Sequence, residues 1–223
     1  MPRSAPDTVG DRPHPTQPIP ASNPPQAPFA RSLPWLLLLG GVVGLTAAFV
    51  LTVEKIALIV DPTYVPTCSI NPVLSCGSVM ATPQATVFGS PNSLLGIAGF
   101  AVVTTSGAAL LAGARLHRWY WLGLQAGATA GVVFVHWLIF QSLYRIDALC
   151  PYCMVVWAVT IPIFWYVTLH NLAQGAKFLP ARWQSAIDAL THNHTVGLTL
   201  WVVTILALIA HRFWSYWSLL LTP

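Results

Sequence analysis

The chain has 223 residues, of which 55% are hydrophobic and 7% charged, with a net charge of +4 and a mean hydropathy of +0.65. Soluble domains carry roughly 25% charged residues, so this composition excludes a water-soluble globular protein. The small positive charge is accounted for by an orientation bias set out below, and no nucleic-acid partner is inferred from it.

Residues 1–33 are rich in proline and in Ser, Gln, Asn and Asp, and poor in large apolar groups. Such a segment cannot bury a core and reads as a disordered tail. Beyond it, stretches free of Asp, Glu, Lys and Arg cover 32–53, 62–114, 119–144, 148–176 and 189–211. Each is long enough for the roughly 20 residues that cross a bilayer core. Pro62, Pro66, Asn71, Pro72, Pro83, Pro91 and Asn92 punctuate the first half of the second stretch, which reads as a loop. Five spans are expected, at about 34–53, 92–113, 119–143, 150–171 and 196–216. The first is longer than the roughly 7–15 apolar residues of a cleaved signal peptide, and a long tail precedes it.

Backbone polar groups in lipid need internal partners, so these spans are helices. The expected fold is an all-α integral membrane protein, a helical bundle with five transmembrane spans. Its organisation runs as a cytoplasmic tail (1–33), a bundle (34–172) with a long outer loop (54–91), a cytoplasmic linker (173–195), and the fifth helix with a short tail (196–223). With the N-terminus inside, Arg3, Arg12, Arg31, Arg115, Arg118, Lys177 and Arg182 face the cytoplasm, against Lys55, Arg145 and Arg212 outside. That bias satisfies the positive-inside rule and still does so without Arg3 and Arg12.

Four cysteines form two pairs, and both fall on the outer side, where disulfides persist. Cys150-Pro151-Tyr152-Cys153 begins just after Asp147, the last charge before an apolar run, so it sits at a helix start. There the free N–H groups and the helix dipole favour a thiolate, and proline fits the first turn. The helix should carry Cys153 deeper toward lipid and leave Cys150 near water. A purely structural disulfide gains little by closing so short a loop, which points to redox chemistry. Arg145 can favour the thiolate, although an ion pair with Asp147 accounts for both residues.

Cys68 and Cys76 lie in Thr-Cys68-Ser-Ile-Asn-Pro-Val-Leu-Ser-Cys76-Gly. Alone, this spacing is equally that of a static loop disulfide. Beside the second pair, a mobile loop dithiol can exchange through mixed disulfides. Zinc does not suit the spacing of the first pair, and haem attachment needs a His where Met154 stands, so no metal is expected.

A dithiol relay needs an acceptor. A lipid-soluble quinone enters between helices and takes two electrons, the number a dithiol gives up. Its pocket needs apolar and aromatic walls with one or two hydrogen-bond donors. Asn92 and Ser93 begin the second span at the depth of Cys153, and Trp157 lies one turn beyond Cys153 on the same face. Asn92 reads equally well as a helix N-cap. Gly96, Gly99, Gly123, Gly127 and Gly131 read as close-packing sites between helices. Glu54-Lys55 reads as a solvated pair, and Trp35, Trp119, Trp121, Trp214 and Trp217 as an interfacial belt. His136, His211 and Gln141 read as partners in helix-to-helix hydrogen bonds.

Cys-x7-Cys-Gly-Ser-Val, followed by Thr82-Pro83, Asn92-Ser93-Leu-Leu-Gly96 and Ala148-Leu149-Cys150-Pro-Tyr-Cys153, resembles the vitamin K epoxide reductase family over roughly residues 35–172. The resemblance is to the bacterial, actinobacterial-type homologues that drive disulfide formation. DsbB-type oxidases place the close pair first, the reverse of the order here. What the resemblance implies is a four-helix bundle around a quinone (menaquinone or ubiquinone) in a bacterial inner membrane. Cys68 would meet the thiols of a DsbA-like thioredoxin-fold partner, Cys76 would exchange with Cys150, and Cys153 would reduce the quinone. Asn92 matches a family residue that bonds a quinone carbonyl, and Thr82 a small hydroxyl residue near the cysteines. Trp157 stands where vertebrate members have a quinone-contacting Tyr. No fused thioredoxin-like domain is seen, so a separate partner protein is expected. The competing expectations are a quinone epoxide reductase and a non-enzymatic membrane protein with two structural disulfides.

Overall fold

The longest helix, α1 (Leu33–Val60), starts with a proline in its first turn, where a missing N–H has no cost. In this computed structural model residue 29 and residues 31–176 and 180–221 are described, the side chains of 217 and 219–221 excepted. Helix α1 continues well past residue 53, the expected end of its span, because Glu54 and Lys55 find partners within the protein. Thr67 Oγ1 donates to Glu54 Oε1 at 2.6 Å, and Lys55 Nζ donates to the Met80 carbonyl at 2.6 Å. Glu54 is buried, so the expectation of a solvated pair is corrected.

The loop after α1 holds a short helix, α2 (Cys76–Met80), and a 3₁₀ turn at Pro83–Thr86. Then come α3 (Asn92–Leu111), α4 (Arg118–Gln141, prolonged by a π-helical turn at Ser142–Ile146) and α5 (Pro151–Gly175). Helices α6 (Ala181–His192), α7 (His194–Arg212) and α8 (Trp214–Leu221) complete the described chain. Helices α1, α3, α4, α5 and α7 are each long and apolar enough to cross a bilayer. The protein is a multi-pass, all-α membrane protein, as its composition dictates. Helix α6 occupies most of the stretch expected to be a plain linker.

Helix α1 packs along α3 and α5, and α5 along α4. The α1–α3 seam depends on glycine. A Cβ at Gly41 would fall 2.7 Å from the Thr104 backbone nitrogen, and one at Gly107 would meet the Leu38 backbone. The five glycines expected to serve close packing mostly do something else. Nothing lies within 4 Å of a Cβ built at Gly99, Gly123 or Gly127, and all five border a cavity between α3 and α4. At these three positions the missing side chain leaves space, whereas a Cβ at Gly96 would press on the Ala48 Cβ at 3.1 Å, as close packing requires.

Helix α7 docks on the bundle through Trp201, whose Nε1 donates to His136 Nε2 at 3.0 Å. His136 Nδ1 lies 2.8 Å from the Val132 carbonyl, to which it donates, while Nε2 accepts from Trp201. The helix-to-helix bond expected of His136 is present. Trp35, Trp119 and Trp214 are exposed at helix ends, whereas Trp121 is buried with its ring 3.9 Å from His170 and leaves the expected belt. The Trp217 side chain lies outside the described residues. So does the tail expectation at residues 1–28 and 30. Phe29 is 2% exposed and packs its ring on Tyr166 and His194, so ordered packing begins before the expected boundary at residue 33.

Candidate redox site

Both cysteine pairs meet at one end of the bundle. Asn71 shapes the loop that carries the first pair: its Oδ1 accepts from the N–H groups of Val73 and Leu74 at 3.0 and 2.7 Å. The strand-like residues that follow pair with the segment before α5. Leu149 N–H donates to the Val73 carbonyl at 2.7 Å, and Ser75 N–H to the Leu149 carbonyl at 2.9 Å. This single parallel bridge, Leu74 to Leu149, aligns the next residue of each segment's approach to its helix. Ser75 caps α2, its Oγ accepting from the Ser78 N–H, and so fixes Cys76 at the first helical position.

Cys68 and Cys76 form a disulfide, while Cys150 and Cys153 are free thiols. Cys76 Sγ and Cys150 Sγ lie 3.1 Å apart, and both residues are 0% exposed. The sulfurs of Cys68, Cys76 and Cys150 all fall within 4.8 Å of one another. Two of the three are consumed by the disulfide, so in this state they do not form a metal-ligand set. The loop expected to be mobile is braced by the bonds just described, and Cys68 itself is buried.

Cys150 precedes the first residue of α5, with Pro151 at the first position, as the helix-start reading requires. The Cys153 thiol donates to the Cys150 sulfur and holds the Cys150 thiol below its ordinary pKa. The N–H groups of Cys153 and Tyr152 act in the same direction, against the opposing effect of burial. The expected depths are corrected. Cys150 does not sit near water, because Leu51, Cys68, Cys76 and Met80 pack around it; Cys153 is the less buried of the two and lines the cavity.

That cavity measures about 1040 Å³ and is bounded by α1, α3, α4, α5 and the loop over their ends. Its walls are largely apolar, with aromatic faces from Phe100, Phe134 and Trp157. Lys55, Thr82, Asn92 and Ser93 line it, as does Cys153, and Tyr120 and Thr160 add polar groups elsewhere in the wall. Asn92 does not cap its helix, since Pro91 holds that position. Its amide instead ties down the loop, with Nδ2 donating to the Gln84 carbonyl at 2.6 Å and Oδ1 accepting from Val87 N–H at 3.1 Å. Thr82 Oγ1 donates to the Val79 carbonyl at 2.7 Å. Trp157 is 4% exposed, and its buried indole N–H has no partner among the described residues. A buried donor without a partner is costly, and a ligand acceptor would satisfy it.

The sequence reading missed Lys55. Among the described residues bordering the cavity it is the single charged one. Its signal was present: it falls one turn after Leu51, on the helix face that the core buries.

Residues 35–168, more than half of the chain, match the model of the vitamin K epoxide reductase family. The chain belongs to the vitamin K epoxide reductase family. No curated protein matches it. Members of this family are oxidoreductases that work with quinones, either coupling them to thiols or reducing their epoxides. The residues here fit such a group: an apolar cavity of suitable size, an unsatisfied indole donor in its wall, and a thiol at its edge. Helices α6, α7 and α8 lie beyond the matched residues.

Proposed function

We propose that this protein is a thiol:quinone oxidoreductase that reoxidises a DsbA-like thioredoxin-fold protein and passes the electrons to a membrane quinone. The observation that carries the reading is the 3.1 Å contact between Cys76 and Cys150, with the adjoining Cys153 lining the cavity. Electrons would enter at Cys68, which exchanges with the partner's dithiol. Reduction of the Cys68–Cys76 disulfide frees the Cys76 thiolate to attack Cys150 within a Cys150–Cys153 disulfide. Cys68 then attacks Cys76, which closes the outer disulfide again and leaves Cys150 and Cys153 as thiols. The protein described here holds that last arrangement, with two electrons on the inner pair.

A bound quinone, menaquinone or ubiquinone, accepts two electrons and two protons. The chain's own residues prepare the transfer. Cys153 presents its sulfur to the cavity, and Cys150 stands ready to close the inner disulfide as the electrons leave. Asn92 and the Trp157 indole N–H supply donors to carbonyl oxygens, Lys55 brings a cation to the cavity wall, and Thr82 steadies the loop above them. The cysteine end then faces the extracytoplasmic side of a bacterial inner membrane, as the basic residues suggest. The catalytic unit is the bundle of residues 34–172 with its loop 54–91. The partner is a separate protein.

The free thiols of Cys150 and Cys153 do not match a molecule with two static disulfides. The test is quinone absorbance in detergent, with a reduced DsbA-like donor, for the native chain and Cys153→Ala. Quinone reduction that vanishes in Cys153→Ala supports the relay. Intact disulfides and no reduction with any donor or quinone would sink it. Turnover of a quinone epoxide alone would move the assignment to epoxide reduction.

A further inference from the structure

The fifth membrane helix reaches the segment before Cys150 with its last turn and the residue after it. Arg212, the last residue of α7, donates from Nε to the Leu143 carbonyl at 2.7 Å, and its Nη2 pairs with Asp147 Oδ1. The sequence reading paired Asp147 with Arg145; its partner is Arg212 instead. Asp147 has φ 57° and ψ 32°, and among the described residues it is the single non-glycine with positive φ. Left-handed backbone costs an L-residue energy, less for aspartate than for most, so contacts from outside add to the stability of this turn. Arg212 supplies them at both ends, gripping a carbonyl of the π-helical turn before it and the side chain of the strained residue itself. Phe213 and Ile209 press on the same place, packed in one cluster with Leu143, Leu149 and Val73.

The turn at Asp147 sets where the chain goes next. Ala148 and Leu149 follow, both buried, and Leu149 makes the two backbone bonds to Val73 and Ser75. Cys150 is the following residue, just as Cys76 follows Ser75. A short, continuous series of contacts therefore links Arg212 to the 3.1 Å approach of the two sulfurs. We propose that Arg212 is a positioning residue of the relay: by holding Asp147 in its left-handed conformation, the fifth helix sets the register that brings Cys150 against Cys76. This rests on the exchange between Cys76 and Cys150 proposed above. Arg212 lies beyond the residues that match the family model, whereas Leu143 and Asp147, which it holds, lie within them.

The experiment uses the full chain with Cys68→Ala and Cys153→Ala, which leaves Cys76 and Cys150 alone. In a glutathione buffer the pair closes as two thiols and one oxidised glutathione give one disulfide and two reduced glutathiones. The equilibrium constant measures how well the fold presents one sulfur to the other. With Arg212 in place the bridge should form readily. Arg212→Ala should lower the constant by about fivefold, the upper end for losing a charge pair that is partly exposed. Adding Asp147→Gly should restore it to within about twofold, because glycine takes positive φ without help.

An unchanged constant in a folded Arg212→Ala protein would overturn the inference. So would a loss that Asp147→Gly fails to restore, since the helix would then act by general bracing and not through the turn. If Arg212→Ala loses its helical fold, Arg212→Lys carries the same comparison, because lysine keeps the charge but not the two-point grip. Failure of the bridge to form even with Arg212 present would instead refute the Cys76–Cys150 exchange, and this inference with it.

Discussion

The sulfurs of Cys76 and Cys150 touch at 3.1 Å in a place that solvent does not reach, while Cys153, three residues on, opens to the cavity. Reactivity should follow access. A lipid-soluble maleimide is expected to label Cys153 at least about tenfold faster than Cys150, and a charged, membrane-impermeant one to label neither. Mass spectrometry of digested protein reads both rates. Equal labelling of the two thiols would mean that the cover over Cys150 opens freely.

The hydrogen bond from Cys153 sets a pH dependence. Because it holds the Cys150 pKa down, the thiolate should appear below the ordinary range near about 8.5 and disappear as pH falls through the lowered value. Exchange between the pairs should therefore persist to lower pH than it would with an ordinary thiol at Cys150. Removing the donor in Cys153→Ala should move the thiolate transition upward. Ultraviolet thiolate absorbance, recorded with the Cys68–Cys76 disulfide closed, follows both. A transition that stays in place would assign the shift to something other than Cys153.

Trp157 offers a buried N–H with no partner among the described residues. Trp157→Phe keeps most of the ring and removes the donor. If the indole bonds a quinone carbonyl, KM for quinone should rise about three- to tenfold, the worth of one hydrogen bond. Disulfide exchange between the pairs should not change. A native KM would show that the indole packs and nothing more.

Asn92 joins the two ends of the turn that roofs the cavity, through Gln84 and Val87. Asn92→Ala removes both bonds at once. Quinone use should fall by about tenfold or more as the loop loosens and a donor is lost, with exchange between the cysteine pairs preserved. Loss of exchange as well would point to a role in folding the whole loop. Separate assays of the two half-reactions distinguish these outcomes.

Two glycines should respond in opposite ways. Gly127 borders the cavity with nothing near its absent Cβ, so Gly127→Leu should fill space, block quinone reduction and leave thermal stability near native. Gly107 faces the Leu38 backbone, so Gly107→Ala should force α1 and α3 apart and cost about 1–3 kcal/mol. Melting temperatures and quinone turnover on both variants check the contrast. Gly127→Leu with full turnover would place the acceptor elsewhere.

The helices were largely legible because an uncharged run of sufficient length has few alternatives in lipid. The start of α5 was legible too, from Asp147, Pro151 and the cysteine spacing together. What stayed hidden depends on faces and long-range partners. Hydropathy does not say whether glycines such as Gly123 and Gly127 admit a neighbouring helix or leave a void, since both demand the same small residue. It ended α1 at Glu54 and Lys55, whose partners Thr67 and Met80 come from a loop that returns only in three dimensions. Arg145 was the nearer candidate for Asp147 in the sequence, yet Arg212 arrives from a helix 65 residues away. The helix-start argument gave Cys150 to water because it could not foresee Leu51, Cys68, Cys76 and Met80 packing around it.

The absence of neighbours around Gly99, Gly123 and Gly127 bears on how such a protein can change over generations. Most binding pockets are bounded by side chains that also hold the core together, so altering the pocket endangers the fold. Here three points on the boundary have no contacts to lose. Substitution there trims the chamber in steps of a methyl group or more, with little penalty to folding. Lineages that meet acceptors with different ring substituents or tail lengths can adjust fit at these positions while leaving the sulfur chemistry at the other wall untouched.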